Sequence, residues 1–355
     1  MSQRIDQAFP VDTWLPLFLW RASAARAFAQ RVAPDVLWST ADPWSSHLLA
    51  ALVHGATGGA EGPVPWIADF RDPWTLCAVR SRGRPGWTRA LDRRAETWIL
   101  ERADAVTYTA EETHRRSTAS WPHLARKMHV LPNAYDSSAW SEAPLDGPLD
   151  GQPARGDGRL RVQFFGAFRP LSPARPLIAA LAVLREIAPE ALARIDICST
   201  APLAGEDCAA AVGAGVAEAF CAVAPQPYEA AMRTLRQADL LLISTEPGRD
   251  DIIPAKLWDY LPVGRPVLNL SPNPETAALV ASTGVGVTLA PGDPLAIAAL
   301  LRACVDAIDR GGPLPLRFSP NRERILAYDA GSVTSGLVSL AEGLMRSRRG
   351  LVEAL

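Results

Sequence analysis

The sequence predicts an α/β protein made of two domains, each a twisted, mostly parallel, doubly wound sheet. Two observations carry this: after residue 159 short apolar runs alternate regularly with longer helical patterns, and before residue 140 the same alternation recurs less completely. A third is the stretch between them, Ser141 to Gly158, whose Gly, Pro and Asp content supports no periodic element and reads as a linker.

The first domain, residues 1–140, offers strands at Val36–Ser39, Trp66–Phe70, Ala105–Thr109 and Met128–Leu131. Helices at Ser45–Val53, Thr88–Ala103 and Glu111–Ala119 fall between them. In the second, residues 159–310, strands at Leu160–Phe165, Ile195–Cys198, Ala219–Val223, Leu240–Ser244, Pro266–Leu270 and Gly286–Leu289 alternate with helices. Those helices cover Pro176–Ile187 and Tyr228–Gln237, open at Pro254 and Glu275, and cover Leu295–Ile308. Parallel strands need such crossovers. Residues 311–355 end in an amphipathic helix, Gly331–Met345, expected to return to the first domain.

Composition narrows the function. With 355 residues and 48% hydrophobic content, each domain can bury a core. The 36 basic and 38 acidic residues give a net charge of −2, so no global field draws nucleic acid. Five cysteines, odd in number and without C-x-x-C spacing, read as reduced thiols in a cytoplasmic protein. The apolar stretch Trp14–Trp20 is far shorter than the roughly 20 residues of a membrane span. The five histidines show no ligand spacing, and His47 reads as a packing residue. No metal site and no cofactor is expected. Ten of the eleven tryptophans precede residue 141, which suggests two halves with different work.

Only Lys127 and Lys256 interrupt an otherwise all-arginine basic set, and Lys256 lies in the segment Asp251-Ile-Ile-Pro-Ala-Lys-Leu-Trp-Asp259. Pro254 suits a first helical position, and a helix opening there offers free backbone N–H groups, with those of the Ile253 turn, to an anion such as a diphosphate. Lys256 in the first turn adds an ammonium that is unfavourable at a helix N-terminus unless an anion offsets it. Asp259, further along, is placed to accept ribose hydroxyls, and Asp251 to reach the hydroxyls of a transferred sugar. The two aspartates serve equally as a loop cap and a solvated helix residue, and spacing alone does not decide between these.

Asp251-x7-Asp259, followed by Tyr-Leu-Pro-Val-Gly264-Arg-Pro266-Val, resembles the retaining glycosyltransferase family 4 motif of two acidic residues eight apart and then G-x-P-V. Ile253 to Leu268 is similar in particular to the branch reading I-P-x-K-L-x-[DE]-Y-L-x-x-G-R-P-V-L, with aspartates where glutamates are usual. In the same order, Gln163-Phe-Phe-Gly166-Ala-Phe-Arg169 resembles the family's phosphate loop, and Pro65-Trp-Ile-Ala-Asp69-Phe-Arg71-Asp72-Pro-Trp74 and Leu131-Pro-Asn133 its front segments. The resemblance spans about Pro34 to Ala307 and implies the GT-B fold, two Rossmann-like domains facing a cleft, here with some N-terminal βα units missing from the first.

It further implies a nucleotide-diphosphate sugar as donor substrate, held by Gly166, Arg169, Ile253, Pro254, Lys256 and Asp259, and a glycan, lipid-linked or small-molecule acceptor. Transfer with retention follows from it, with Arg71, Asp72 and Asp251 as catalytic candidates and Asp69, Trp74 and Asn133 on the acceptor side, and the lack of a D-x-D motif of metal-dependent transferases fits a metal-free site. Two readings compete, a nucleotide-sugar epimerase on the same fold and a binding protein without turnover. The stretch Arg80–Arg102, seven arginines among Trp87 and Trp98, suits contact with anionic membrane headgroups at the inner face, an anionic acceptor, or a solvated face paired with Asp92, Glu96 and Glu101.

Overall fold

A computed structural model describes residues 9–58, 62–139 and 157–353. The chain divides into two compact units, residues 1–132 with 331–355, and residues 133–330. All but the last residues of the linker predicted at 141–158 lie outside the described residues.

Unit 1 holds a four-stranded parallel sheet, β1 (Leu37–Thr40), β2 (Trp66–Arg71), β3 (Ala105–Tyr108) and β4 (Met128–Val130), in the order β1-β2-β3-β4. Its helices are α1 (Leu15–Val32), α2 (Ser45–His54), α3 (Ala78–Ser81), α4 (Gly86–Arg102) and α5 (Glu111–Ser120). Among the described strands the order never reverses, so this sheet winds one way only, where a doubly wound one was expected. The predicted strands and helices fall within one or two residues of these bounds, but α1 and the single turn α3 were not anticipated. Apolar side chains occupy the outer as well as the inner face of α1, so no amphipathic contrast betrays the helix, and Ala29 alone of its 18 residues is buried. Pro16 near its start is the available signal.

The tryptophans build the core of unit 1. β2 is buried along nearly its whole length, as a strand covered on both faces must be. Trp66 and Trp74 are fully buried, and Trp44 stacks on Trp74 with ring centroids 5.3 Å apart. His47 lies in this core, stacked on Phe70 and bonded through Nδ1 to the Ser39 hydroxyl at 2.8 Å, which in turn accepts from the Trp66 indole. Burial drives its pKa down to about 3, so the ring is neutral.

Unit 2 carries β5 (Leu160–Gln163), β6 (Ile195–Ser199), β7 (Phe220–Ala222), β8 (Leu240–Ser244), β9 (Val267–Leu270) and β10 (Gly286–Thr288) in one parallel sheet. The strand order is β10-β9-β8-β5-β6-β7, a doubly wound sheet that reverses between β5 and β8. Its helices are α6 (Arg175–Ile187), α7 (Pro189–Leu192), α8 (Gly205–Gly213), α9 (Tyr228–Arg236), α10 (Lys256–Tyr260), α11 (Pro274–Thr283), α12 (Pro294–Asp309) and α13 (Arg322–Leu326). The apolar stripe Leu177, Leu181 and Leu184 of α6 shares a core with Ile297, Leu301 and Val305 of α12. A last helix, α14 (Ala330–Glu353), runs through the C-terminal residues of unit 1.

The reading of five reduced thiols needs correction. β6 and β7 register Cys198 directly opposite Cys221, with Cα atoms 4.7 Å apart, and the two form a disulfide. Their separation of 23 residues carries no trace of this, because strand pairing is decided by the sheet. Cys77, Cys208 and Cys304 form no disulfide.

A buried carboxylate in unit 1 makes stability depend on pH. Glu96, 2% exposed, accepts from the Thr75 hydroxyl and N–H, and burial pushes its pKa up to about 7 against these bonds. Between about pH 4.5 and 7 the folded state then holds a proton that the unfolded chain has released, so stability from this group is lost as pH rises through that window. His47 acts oppositely from about pH 3 to 6.5, so only a difference measurement isolates Glu96. Glu96→Gln is expected to gain on the parent protein by about 2–3 kcal/mol between pH 4.5 and 8, read from chemical denaturation at both pH values.

Candidate functional site

The two carboxyl ends at the reversal, those of β5 and β8, lead into the segments singled out in the sequence. In open parallel sheets this is where the flanking loops diverge and leave a crevice. After β5 comes Gly166 with φ 114°, a backbone conformation that L side chains rarely adopt. A Cβ at Gly166 would meet Lys256 Cε at 3.6 Å, so the lysine stem lies directly over the glycine backbone. The Lys256 ammonium sits 4.6 Å from the centre of the Phe164 ring. Among the described residues no carboxylate pairs with it. Burial, then the neighbouring Arg169, lowers its pKa below the ordinary lysine range, and Asp259 partly opposes this.

Arg169 is exposed at a tight turn closed by Arg169 N–H to Ser172 O at 3.1 Å and the reciprocal bond at 2.8 Å. The loop is held from below by Tyr260, a residue that sequence reasoning passed over. Its hydroxyl accepts from Phe165 N–H at 2.9 Å and donates to Leu242 O at 3.1 Å, tying the glycine loop to β8 through α10. The Gly166 carbonyl accepts from Thr200 N–H at 2.9 Å, which joins the loop to the end of β6.

Asp259 accepts a 2.8 Å hydrogen bond from the Tyr228 hydroxyl at the start of α9. Burial raises its pKa, and the Tyr228 bond and Lys256 work against that rise. Tyr228 was missed because a lone tyrosine has no motif. Beside it Gln163, Phe165, Thr200, Val223 and Gln226 line a small cavity of about 120 Å³ at the ends of β5, β6 and β7.

Three expectations for this segment change. The helix expected from Pro254 begins at Lys256 and is five residues long, so it presents a single turn and little dipole. Ile253 and Pro254 are buried, and Pro254 contributes its carbonyl to Leu257 N–H at 3.0 Å. Asp251, 1% exposed, is enclosed with Arg249 Nε 3.4 Å from its Oδ1, so it does not stand open to a sugar. Asn273 braces the same loop by donating to Ile252 O while capping α11.

In unit 1 the end of β2 carries the other candidates. Arg71 has φ 57°, at a bulge where the pairing with β3 shifts between Asp69 and Arg71, and both Arg71 and Asp72 are exposed there. Asp69 and Trp74 do not emerge with them. Asp69, 7% exposed, accepts from Thr107 Oγ1 at 2.8 Å and Thr40 Oγ1 at 3.0 Å, and burial raises its pKa against those bonds. It joins β1, β2 and β3, while Trp74 is a core residue. The bulge and the left-handed turn at Arg71 explain the split, since they carry the chain out of a strand buried up to Phe70. Asn133, half-buried, opens unit 2.

The stretch Arg80–Arg102 is not one basic face. Arg84 is buried, 2.7 Å from Asp92, and donates to Phe9 O at 2.8 Å, and Arg80 donates to Val11 O at 2.6 Å. Arg93 covers Trp121 at 3.7 Å. Arg80, Arg84, Asp92 and Arg93 line a cavity of about 450 Å³ with Thr75 and Arg89.

No protein-family model and no curated protein matches the chain. Solved structures do. The fold is similar to that of a glycosyltransferase from Rickettsia africae ESF-5, with a TM-score of 0.61 at 9% identity over 92% of this chain and 81% of that one. Sucrose-phosphate synthase from Thermosynechococcus elongatus gives a TM-score of 0.65 at 14% identity, over 94% and 80% of the two chains. Anabaena HepE in complex with UDP and glucose gives 0.64 at 14% identity, over 94% and 84%. At such identities the likeness is one of fold, an α/β chain with two parallel-sheet units.

Tyr260→Phe is expected to strip Phe165 N–H and Leu242 O of their shared partner, at a cost of about 1–3 kcal/mol in unfolding free energy. Faster hydrogen exchange at Gly166 and Ala167 than in the parent protein would accompany it, and unchanged exchange there would refute the bracing role.

Proposed function

We propose that the protein is a glycosyltransferase that binds a nucleotide-diphosphate sugar on unit 2 and transfers the sugar to an acceptor hydroxyl in glycan or glycoconjugate assembly. One observation carries the reading: the half-buried Lys256 lies over a glycine backbone at the reversal of the sheet, and among the described residues no carboxylate pairs with its ammonium. A cation removed from water costs several kcal/mol unless an anion meets it. A diphosphate is the anion that suits this place, since the Gly166 backbone admits close approach and Arg169 adds a second cation on the same loop. The fold shared with proteins solved with UDP and with UDP-glucose supports it.

In this reading Lys256 and Arg169 neutralise the diphosphate as it leaves, which is where charge grows in the transition state. Asp259 exchanges part of its bond with Tyr228 for the ribose hydroxyls, and the cavity beside Phe165 and Gln226 receives the base. Asp251, enclosed as it is, fixes Arg249 instead of touching the sugar. Arg71 and Asp72, exposed on the strained end of β2, are the acceptor-side candidates. The motif's resemblance to family 4 favours retention and a metal-free reaction, with protein cations serving the diphosphate.

The test is thermal stabilisation by a panel of UDP-, GDP-, ADP- and TDP-sugars, where a hundredfold excess over Kd stabilises by about 2.7 kcal/mol. Lys256→Ala and Asp259→Ala are each expected to lose most of the shift given by the preferred donor. Equal shifts in the parent and both variants would remove the site. Nucleotide release that requires an acceptor distinguishes transfer from epimerisation or binding alone.

A further inference from the structure

The helix α1 (Leu15–Val32) lies against unit 1 along one stripe and offers another outward. Leu15, Phe18, Ala22 and Ala25 are half-buried and Ala29 is buried, the 3-4-3-4 spacing of a face packed on its neighbours. Turned away from it are Leu17, Trp20, Ala24 and Phe28, all exposed, with Trp20 at 68% and Phe28 at 57%. Leu19 and Val32 add to the apolar surface at 51% and 52%. A scattered exposed apolar side chain is ordinary, but a contiguous run with two bulky aromatics is not.

The charges along the helix say what covers this stripe. Arg21, Arg26 and Arg31 are exposed, and no Asp or Glu occurs from residue 13 to 34. The Arg21 guanidinium lies 4.3 Å from the Trp20 ring and that of Arg31 5.5 Å from Phe28, so cations ride at the edge of the apolar surface. A second copy of the helix would bring like charges together, which disfavours self-association. Aromatic and aliphatic side chains flanked by arginine match the boundary between acyl chains and anionic headgroups. Among the described residues no helix is long and apolar enough to cross a membrane, so the helix would lie in the plane.

The helix is also firmly mounted. Asp12 accepts from Trp14 N–H at 2.9 Å and Ser45 N–H at 2.8 Å, and Val11 N–H donates to Asp92 at 2.6 Å. Arg80 and Arg84 hold the carbonyls of Val11 and Phe9. Two of the seven arginines expected to meet lipid, Arg80 and Arg84, thus pin the root of a different element, one that does present lipid-seeking side chains.

We propose that α1 is an interfacial helix that seats its Leu17, Trp20 and Phe28 stripe in an anionic phospholipid surface. Donor chemistry on unit 2 is not a premise of this assignment. The full-length protein is tested by flotation with vesicles of phosphatidylcholine alone and of phosphatidylcholine with phosphatidylglycerol. It floats with the second and not the first, and salt weakens the association. Trp20→Glu with Phe28→Glu abolishes flotation while the melting temperature stays unchanged, because both side chains are exposed. Replacing Arg21, Arg26 and Arg31 by Gln weakens partitioning roughly fivefold per residue, on the order of a hundredfold together. Absence of flotation with the anionic vesicles at low salt would overturn the proposal. So would a dimer in analytical ultracentrifugation that Trp20→Glu splits, since a second copy would then be the occupant.

Discussion

The reversal of the unit 2 sheet between β5 and β8 governs where its chemistry can stand. Because all six strands run parallel, every loop after a strand emerges on one edge, and only at the reversal do two successive loops turn apart. Gly166 and Lys256 occupy that gap from opposite sides. The glycine is needed for φ 114°, which L side chains rarely adopt, while the lysine stem lies at ordinary contact distance above it. Tyr260 then fastens the glycine loop to the helix that carries the lysine, so the pair is positioned by buried hydrogen bonds and not by an exposed loop alone.

Unit 1 meets a different constraint. Its four strands wind in one direction, and bulky rings fill the interior: Trp44, Trp66 and Trp74 are buried, and Asp69 stitches three strands through Thr40 and Thr107. That carboxylate shows why an acidic residue at a strand end is ambiguous in sequence. Two residues further the chain leaves the sheet through the left-handed turn at Arg71, and the charges of Arg71 and Asp72 face outward.

How much could be read beforehand follows from what is local. Strands such as Leu240–Ser244 are continuous apolar runs, and α6 writes its buried stripe in steps of three and four, so both are visible in a line of letters. The Gly166, Lys256 and Asp259 neighbourhood was legible because motif order encodes strand ends. What escaped is set by packing between distant segments. The Cys198–Cys221 bond depends on strand register, Tyr228 and Tyr260 act through partners 31 and 95 residues away, and the enclosure of Asp251 depends on loops from two strands. The helix α1 escaped for a local reason: apolar side chains on its outer face hide the stripe that packs inward.

The path of the chain through unit 2 has its own consequence. Tyr135 pairs with the segment at 328–330, its N–H to Tyr328 O at 3.1 Å and its carbonyl accepting from Ala330 N–H at 2.8 Å, so entrance and exit run side by side. The second unit is therefore a cassette spliced into the first, whose residues 331–355 follow it in the chain. Synthesis delivers unit 2 whole before unit 1 has all its residues, which reverses the amino-to-carboxyl order in which successive domains ordinarily mature.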